Sequence, residues 1–386
     1  MKTATSLQQM QSSYIREILS AASDSNVISL AGGLPDQATF PIDLMQPTLI
    51  KLAEMPEVFQ YEQTAGYAPL LTFLSGYFSL PENHDALVCT GSQQGLDLLA
   101  RAYINPGDSI VMESPGYLGA MQVFGLVQAN ILTVSQTKNG PDLEALEHHF
   151  ATQSPKLFYA VPDFHNPTGV CWSLETRKKV AALCLQYQVT LVEDAPYREL
   201  RFSGDTQPYV SQFCPDCSIV LRSFSKIASP GMRLGVVTGQ SQFIQPMIKV
   251  KQGADLHTSV PMQVLLLGLL QHEGFAKHLA RMRQLYQSRY EVLYTQLREQ
   301  LPAGCTVSPV NGGMFVWVTL PACDPFALAA QMLAHGVAVV PSPVFYPANS
   351  DQIQPGLRLN FTNSTEEALI RAVSCLSQTL KAFLTV

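Results

Sequence analysis

A chain of 386 residues with 47% hydrophobic content can bury a large core, and two closely joined domains are expected in preference to one. Its 24 Lys and Arg against 30 Asp and Glu leave a net charge of −6, which argues against a nucleic-acid partner while leaving room for a locally basic cleft that takes a small anion. Met1 to Met10 holds one lysine and no apolar run, so no secretory signal is evident, and the longest apolar stretch, Val264 to Leu270, is too short to span a bilayer.

In chain order, a helix is expected over Leu7 to Ala21, after which short apolar runs alternate with longer amphipathic ones. Leu87 to Thr90, Ser109 to Met112, Asn130 to Val134, Leu157 to Val161, Thr190 to Val192, Ile219 to Leu221 and Leu234 to Thr238 read as strands. Helices fit between most of them, and Leu174 to Tyr187 has clear helical periodicity. Near-continuous hydrophobic strands separated by helices predict a mostly parallel sheet covered on both faces, an α/β large domain. After a helical stretch from Glu273 to Gln300, strands at Cys305 to Ser308, Met314 to Thr319, Val337 to Val340 and Leu357 to Asn360 mix with two helices. The last helix opens with a capping box, Ser364 to Glu367. That tail reads as a smaller α+β domain joined by the first forty residues, with divisions at 1–40, 41–275 and 276–386.

The eight cysteines are scattered, mostly in apolar segments, which suits a reducing compartment, with the cytoplasm as the expectation. Cys214-Pro215-Asp216-Cys217 has metal or redox spacing, but no second Cys/His pair follows it, and His148-His149 reads as the end of a solvated helix. No metal site is expected.

Four segments carry chemistry. In Ser223-Phe224-Ser225-Lys226, an apolar strand delivers a lysine among small hydroxyls, with Arg233 following in Pro-Gly-Met-Arg-Leu-Gly. An amine attacks a carbonyl only while unprotonated, and burial or cationic neighbours lower its pKa toward that condition. The pattern suits an imine-forming lysine beside a phosphate, although alone it more often marks a solvated loop. Thr90-Gly91-Ser92-Gln93-Gln94-Gly95 follows a strand and opens the helix Leu96 to Tyr103, where free N–H groups favour an anion; the alternative is an ordinary turn with Ser92 as N-cap. It is neither GxGxxG nor a P-loop. Val192-Glu193-Asp194-Ala195-Pro196-Tyr197 places carboxylates at the C-terminal end of a strand, where open α/β sheets bind ligands; Asp194 could keep a pyridine nitrogen protonated or merely cap a helix. Asn166-Pro167-Thr168-Gly169 is a turn whose asparagine could donate to a ring oxygen.

In this order and spacing, these segments resemble the pyridoxal-phosphate-dependent aminotransferases of fold type I, class I/II. The resemblance spans nearly the whole chain, from Ala31-Gly32-Gly33-Leu34-Pro35 through Tyr61 to Tyr67 and on to Leu357-Arg358-Leu359-Asn360. Ile15-Arg16-Glu17-Ile18-Leu19, Pro162-Asp163-Phe164-His165-Asn166 and Lys251 to Thr258 are similar to the branch containing 2-aminoadipate (kynurenine-type) aminotransferases.

The resemblance implies pyridoxal 5'-phosphate as cofactor and transfer of an amino group from a 2-aminoadipate, glutamate, leucine or aromatic-type donor to a 2-oxo acid such as 2-oxoglutarate. It implies that Lys226 holds the cofactor and moves the substrate proton, that Asp194 pairs with the ring nitrogen, and that Asn166 and Tyr197 contact the ring oxygen. Tyr117 would stack on the ring, and Ser92, Gln93, Ser223, Ser225 and Arg233 would hold the phosphate. Tyr67 matches a tyrosine that reaches the phosphate of the neighbouring subunit, implying a homodimer with shared sites. Arg358, with Gly33 and Asn166, would bind the substrate, Arg358 taking its α-carboxylate, and Arg16 could meet a distal carboxylate. The chain departs from the family pattern at Arg222, where glycine is usual, and at Pro341-Ser342-Pro343-Val344-Phe345. Arg222 on an alternating strand is expected to face away from the cofactor. Other reactions of the same cofactor, β-elimination or decarboxylation, remain open at this level. A regulatory cofactor-binding module is disfavoured by the absence of an upstream winged helix.

Overall fold

The computed structural model describes residues 2–8, 14, 18, 27–348, 350 and 353–384. Of the helix expected over Leu7 to Ala21, Thr5–Gln8 is described as a helix, and most of the remainder lies outside the described residues.

The main sheet has eight strands: β2 (His84–Cys89), β3 (Ser109–Ser114), β4 (Asn130–Thr137), β5 (Gly140–Pro141), β6 (Leu157–Ala160), β7 (Thr190–Asp194), β8 (Ser218–Ser223) and β9 (Gly235–Gln240). Their spatial order is β2-β9-β8-β7-β6-β3-β4-β5. The run from β8 through β7, β6 and β3 to β4 is parallel, as continuous apolar strands linked by helices require. β9 breaks the rule by lying antiparallel between β2 and β8. Its chain returns directly from the Lys226 loop without a crossover helix, so only the antiparallel direction is open to it.

Both faces are covered. Ser92–Tyr103 and Ser241–Ala254 pack on one side, and Leu143–Gln153 with Leu174–Tyr187 packs on the other, where Phe158 and Trp172 stack with ring centroids 6.1 Å apart. Ser173 caps Leu174–Tyr187 by accepting from the Thr176 N–H, and Gln188 ends it in a left-handed conformation.

The second sheet runs β10 (Thr306–Val307), β11 (Phe315–Thr319), β14 (Gly356–Asn360), β13 (Val340–Pro341), all antiparallel. Phe275–Gln300 and Glu366–Leu384 pack together beside it. The stretch expected as one strand from Val337 to Val340 is two pieces, because β12 (Val337–Ala338) pairs instead with β1 (Ile28–Ser29). This parallel pairing ties the chain's beginning to its C-terminal third. The last helix is capped one residue later than the capping box predicts: Thr365 Oγ1 accepts from the Ala368 N–H. Among the described residues, no helix is long and apolar enough to cross a membrane.

Candidate active site

The C-terminal ends of β3, β6, β7 and β8 and the turn after β2 open onto one cavity, where unpaired strand-end groups and loop backbone are available to a ligand. Lys226, Asp194, Asn166, Tyr117, Tyr197, Ser92, Gln93, Ser223, Ser225 and Arg233 all line it.

β8 ends at Ser223, and the next turn is closed by the Ala228 N–H donating to the Phe224 carbonyl at 2.9 Å, which turns Lys226 inward. Lys226 Nζ donates to the Gly33 carbonyl at 2.8 Å. Burial, with Arg233 and Arg358 nearby, lowers its pKa to about 8, so a useful fraction of the amine is neutral near physiological pH.

At one end of the cavity, β2 gives way to Gly91, whose φ of 76° places it in a conformation glycine adopts without strain. The helix Ser92–Tyr103 starts immediately after it, so Ser92 is the first helical residue and not the N-cap. Its free N–H groups and the Arg233 guanidinium, which reaches the Thr90 carbonyl through Nη2 at 3.4 Å, make an anion cradle. Gly235 of β9 allows the close approach: a Cβ there would sit 2.6 Å from the Ser92 nitrogen.

At the other end lies Asp194, delivered by β7 and 4% exposed. Tyr159 donates its hydroxyl to Oδ2 at 2.7 Å, while Oδ1 is buried with no partner among the described residues. Burial pushes the Asp194 pKa up to about 7, the Tyr159 hydrogen bond opposing. A protonated ring nitrogen would satisfy that orphaned oxygen. Between the two ends, Tyr117 Oη donates to Gln93 Oε1 at 3.0 Å, and Asn166 Nδ2 donates to Tyr197 Oη at 3.3 Å. Burial raises both tyrosines, Tyr117 to about 12, keeping their hydroxyls neutral donors.

Arg358 on β14 is 2% exposed and lies over the rings of Phe315 and Phe345, 4.3 and 5.0 Å from their centroids. Its Nη1 donates to Asn166 Oδ1 at 2.8 Å and its Nη2 to the Ala31 carbonyl, leaving Nε without a partner among the described residues. A buried guanidinium with a spare N–H and no carboxylate partner among the described residues calls for an anion, and burial lowers its pKa to about 10. An aldehyde-bearing pyridine phosphate therefore fits: a cradle for its phosphate, an acceptor for its ring N–H, and an amine for its carbonyl.

A family model described as aminotransferase class I and II matches residues 25–376. The chain belongs to that family. These are pyridoxal-phosphate-dependent enzymes of fold type I, and this aminotransferase moves an amino group. It is 35% identical over 384 residues to the 2-aminoadipate transaminase of Thermus thermophilus, covering 97% of this chain and 96% of that protein. It is 34% identical over 386 residues to aromatic-amino-acid aminotransferase 1 of Thermococcus litoralis, covering 96% and 92%. A solved structure of Pyrococcus horikoshii kynurenine aminotransferase, in complex with PMP, superposes with a TM-score of 0.94 at 34% identity, covering 100% of this chain and 98% of that one.

Of the described residues expected at the aminotransferase site, Tyr67, Gly33 and Arg358 are not among those lining this cavity. Tyr67 does not line it; its ring packs with Leu52, Val58 and Val264, and its N–H is held by Gln263 Oε1 at 2.8 Å. Arg16 lies outside the described residues. Gly33 contributes a carbonyl, and its missing side chain matters because a Cβ would stand 3.1 Å from Phe315 Cζ. Arg222 turns its guanidinium to the opposite sheet face, over Phe78 and Tyr209. The Pro341 to Phe345 stretch closes β13 and forms a 3₁₀ turn whose Phe345 carbonyl accepts from the Gly116 N–H at 2.8 Å, beside Tyr117.

Sequence reasoning missed Tyr159 and the buried group behind Asn166. There, Glu113 Oε1 accepts from Trp172 Nε1 and Gln136 Nε2, both at 3.0 Å, and His165 Nδ1 meets Thr168 Oγ1 at 3.0 Å. Burial lifts Glu113 to about 7 and drops His165 to about 3, so both favour their neutral forms. The available signal was polarity in apolar strands, at Tyr159 in Leu-Phe-Tyr-Ala and Glu113 in Ile-Val-Met-Glu.

Proposed function

We propose that this enzyme transfers the amino group of an α-amino acid with an acidic, aliphatic or aromatic side chain to 2-oxoglutarate or a similar 2-oxo acid. One observation carries the reading: Lys226 and Arg358 converge on a single segment, on the carbonyls of Gly33 and Ala31. An amine for the reacting centre and a guanidinium for a carboxylate, held to residues two apart, suit an α-amino acid.

The cofactor, when bound, supplies an electrophilic carbonyl and a sink for the electrons of a Cα bond. Asp194 Oδ1 accepts the ring N–H, keeping the nitrogen protonated. Asn166 and Tyr197 donate to the ring oxygen, Tyr117 covers the ring face, and Ser92, Gln93, Ser223, Ser225 and Arg233 hold the phosphate. Arg358 orients the substrate carboxylate, with Asn166 and Gly33 against the substrate. Lys226 Nζ takes the proton from Cα and returns it.

The similarity to 2-aminoadipate, aromatic and kynurenine enzymes favours a donor range that includes acidic and aromatic side chains. Arg16 is the candidate for a distal carboxylate: Arg16→Ala should weaken 2-aminoadipate and glutamate turnover more than leucine or aromatic turnover, and equal losses would sink that role. A homodimer with Tyr67 serving the partner's phosphate is supported by its position outside its own cavity and by exposed Ile50, Phe59 and Tyr61, 64%, 67% and 79% accessible. The unit built on the main sheet, 41–275, and the smaller unit formed by 276–386 with 1–40 act as two domains around the site. Eight free cysteines support a cytoplasmic location.

The test is a donor panel with 2-oxoglutarate on protein reconstituted with pyridoxal phosphate. Stoichiometric 2-oxo acid and glutamate are expected, and borohydride should fix the cofactor on the peptide containing Lys226. Pyruvate and ammonia formed without an acceptor, or protein that cannot be reconstituted, would refute the reading.

A further inference from the structure

A second cavity, of about 550 Å3, lies on the opposite face of the main sheet. Side chains alternate along a strand, so Ser223 points into the cofactor cavity while Arg222, one residue earlier on β8, points into this one. Phe78, Leu80, Pro81 and Tyr209 form its walls, and Arg222 with Thr238 of the neighbouring β9 forms its floor.

Arg222 is 8% exposed. Its guanidinium is held between two rings, 4.2 Å from the centroid of Phe78 and 4.8 Å from that of Tyr209. Nη1 donates to Thr238 Oγ1 at 2.6 Å and Nε to Tyr209 Oη at 3.3 Å. These contacts fix the planar group, and Nη2 is left with no hydrogen bond to the described residues. Two other charged side chains that line the cavity are already paired: Arg198, stacked on Tyr209 at 4.0 Å, bonds Asp163, and Glu199 bonds Arg283. Among the described residues, no carboxylate lies within ion-pair distance of Arg222. A buried cation is costly unless an anion compensates it, and the stacked rings do so only in part.

We propose that this cavity is a second binding site, for a small organic anion whose carboxylate meets Arg222 while its aromatic or aliphatic body lies against Phe78, Leu80 and Pro81. The volume falls in the range of roughly 300–1,000 Å3 typical of small-molecule sites. Polar side chains, among them His84, Arg198, Glu199, Ser211 and Gln212, also line the cleft, but the Arg222 floor lies beside the apolar surface of Phe78, Leu80 and Pro81, and that pairing suits a monocarboxylate with a hydrophobic body better than a bare inorganic ion, which would leave those three side chains facing water. The site is separate from the transamination site and stands back to back with it across β8.

The test is 19F NMR of the holoenzyme with 4-fluorophenylacetate, using three variants. Arg222→Gln removes the cation, Leu80→Trp fills the cavity without touching a charge or the transamination site, and Arg358→Gln disables carboxylate binding on the cofactor side. A bound resonance lost in both Arg222→Gln and Leu80→Trp, retained in Arg358→Gln and at least tenfold weaker in affinity in the first two, establishes the site. Absence of any resonance with that behaviour overturns it, including the case in which every bound signal vanishes with Arg358→Gln alone. Because Leu80→Trp keeps Arg222, a folding failure of Arg222→Gln leaves the decision to that variant.

Discussion

Replacing Asp194 by asparagine should stabilise the cofactor-free protein and weaken the loaded one. The carboxylate is 4% exposed, with one oxygen held by Tyr159 and the other unpartnered, and burial lifts its pKa from 3.8 to about 7. A raised folded-state value means the native protein holds this proton more tightly than the unfolded chain does. The associated stability is fully present below pH 3.8 and is lost as pH rises through about 7. At about 1.4 kcal/mol per pH unit, burying Asp194 costs the cofactor-free fold roughly 4 kcal/mol at pH 8.5, where the buried group is ionised, and roughly 1.5 kcal/mol at pH 5, where the group takes up a proton on folding. An asparagine in its place would carry no such cost, and its amide oxygen can still accept from Tyr159. With an unfolding entropy of roughly 2.1 cal/mol/K per residue, the melting temperature should rise by about 5 °C at pH 8.5 and by about 2 °C at pH 5. With cofactor bound, the sign reverses, because an amide N–H or neutral oxygen replaces the charged acceptor for the ring N–H. Losing a charge-assisted hydrogen bond of about 1.5–3 kcal/mol weakens cofactor retention roughly ten- to a hundredfold. Calorimetric melts of both proteins, with and without cofactor, at the two pH values decide the matter. An equal gain at both pH values, or no gain at pH 8.5 without cofactor, would refute the account of Asp194 as a buried, unpaired carboxylate.

Arg358→Gln should cut kcat/KM for the amino donor by about a hundred- to a thousandfold, the cost of leaving a substrate carboxylate buried without its charged partner, while the cofactor stays bound; a loss under tenfold in steady-state assays would place the carboxylate elsewhere. Gly235→Ala would put a Cβ 2.6 Å from the Ser92 nitrogen, 2.7 Å from the Gly91 carbonyl carbon and 2.9 Å from the Arg222 oxygen, all backbone. It should destabilise the fold by about 1–3 kcal/mol and raise the dissociation constant for pyridoxal phosphate at least tenfold, as read by denaturant melts and fluorescence titration. Reductive modification of cofactor-free enzyme by a small aldehyde should accelerate as pH rises through about 8, where Lys226 loses its proton, and then level off. A rate still climbing steeply to pH 10 would mean the amine is not desolvated.

The parts of the site that could be read along the chain are those whose geometry is local. The Gly91 turn, the Asn166-Pro167 turn, Asp194 at the end of β7 and Lys226 after β8 each lie at or within six residues of a strand's C-terminal end, so pattern and turn chemistry suffice to place them at one sheet edge. The apolar runs likewise gave the existence of most strands, and the parallel direction followed from the helices between them. What escaped was pairing over long separations. Tyr159 and Asp194 are 35 residues apart, and Lys226 reaches the Gly33 carbonyl across 193. No local pattern encodes such contacts, because they exist only once the sheet has stacked its strands and the N-terminal segment has closed over them. The antiparallel β9 and the split of the Val337 to Val340 stretch escaped for the same reason, since the partner of a strand, not its composition, fixes its direction and ends.

By itself, the sequence determined the chemistry: an amine, a carboxylate, an anion cradle and a guanidinium, in the order a transaminating site needs. Only the tertiary structure decided the state of those groups. Burial, which depends on every layer of the fold at once, brings the Lys226 amine near neutrality and leaves Asp194 with an unclaimed oxygen. The facing of Arg222, one residue from the cofactor cavity, was by contrast legible in the sequence, because successive side chains on a strand point in opposite directions; only the fold supplied the rings of Phe78 and Tyr209 that meet it there.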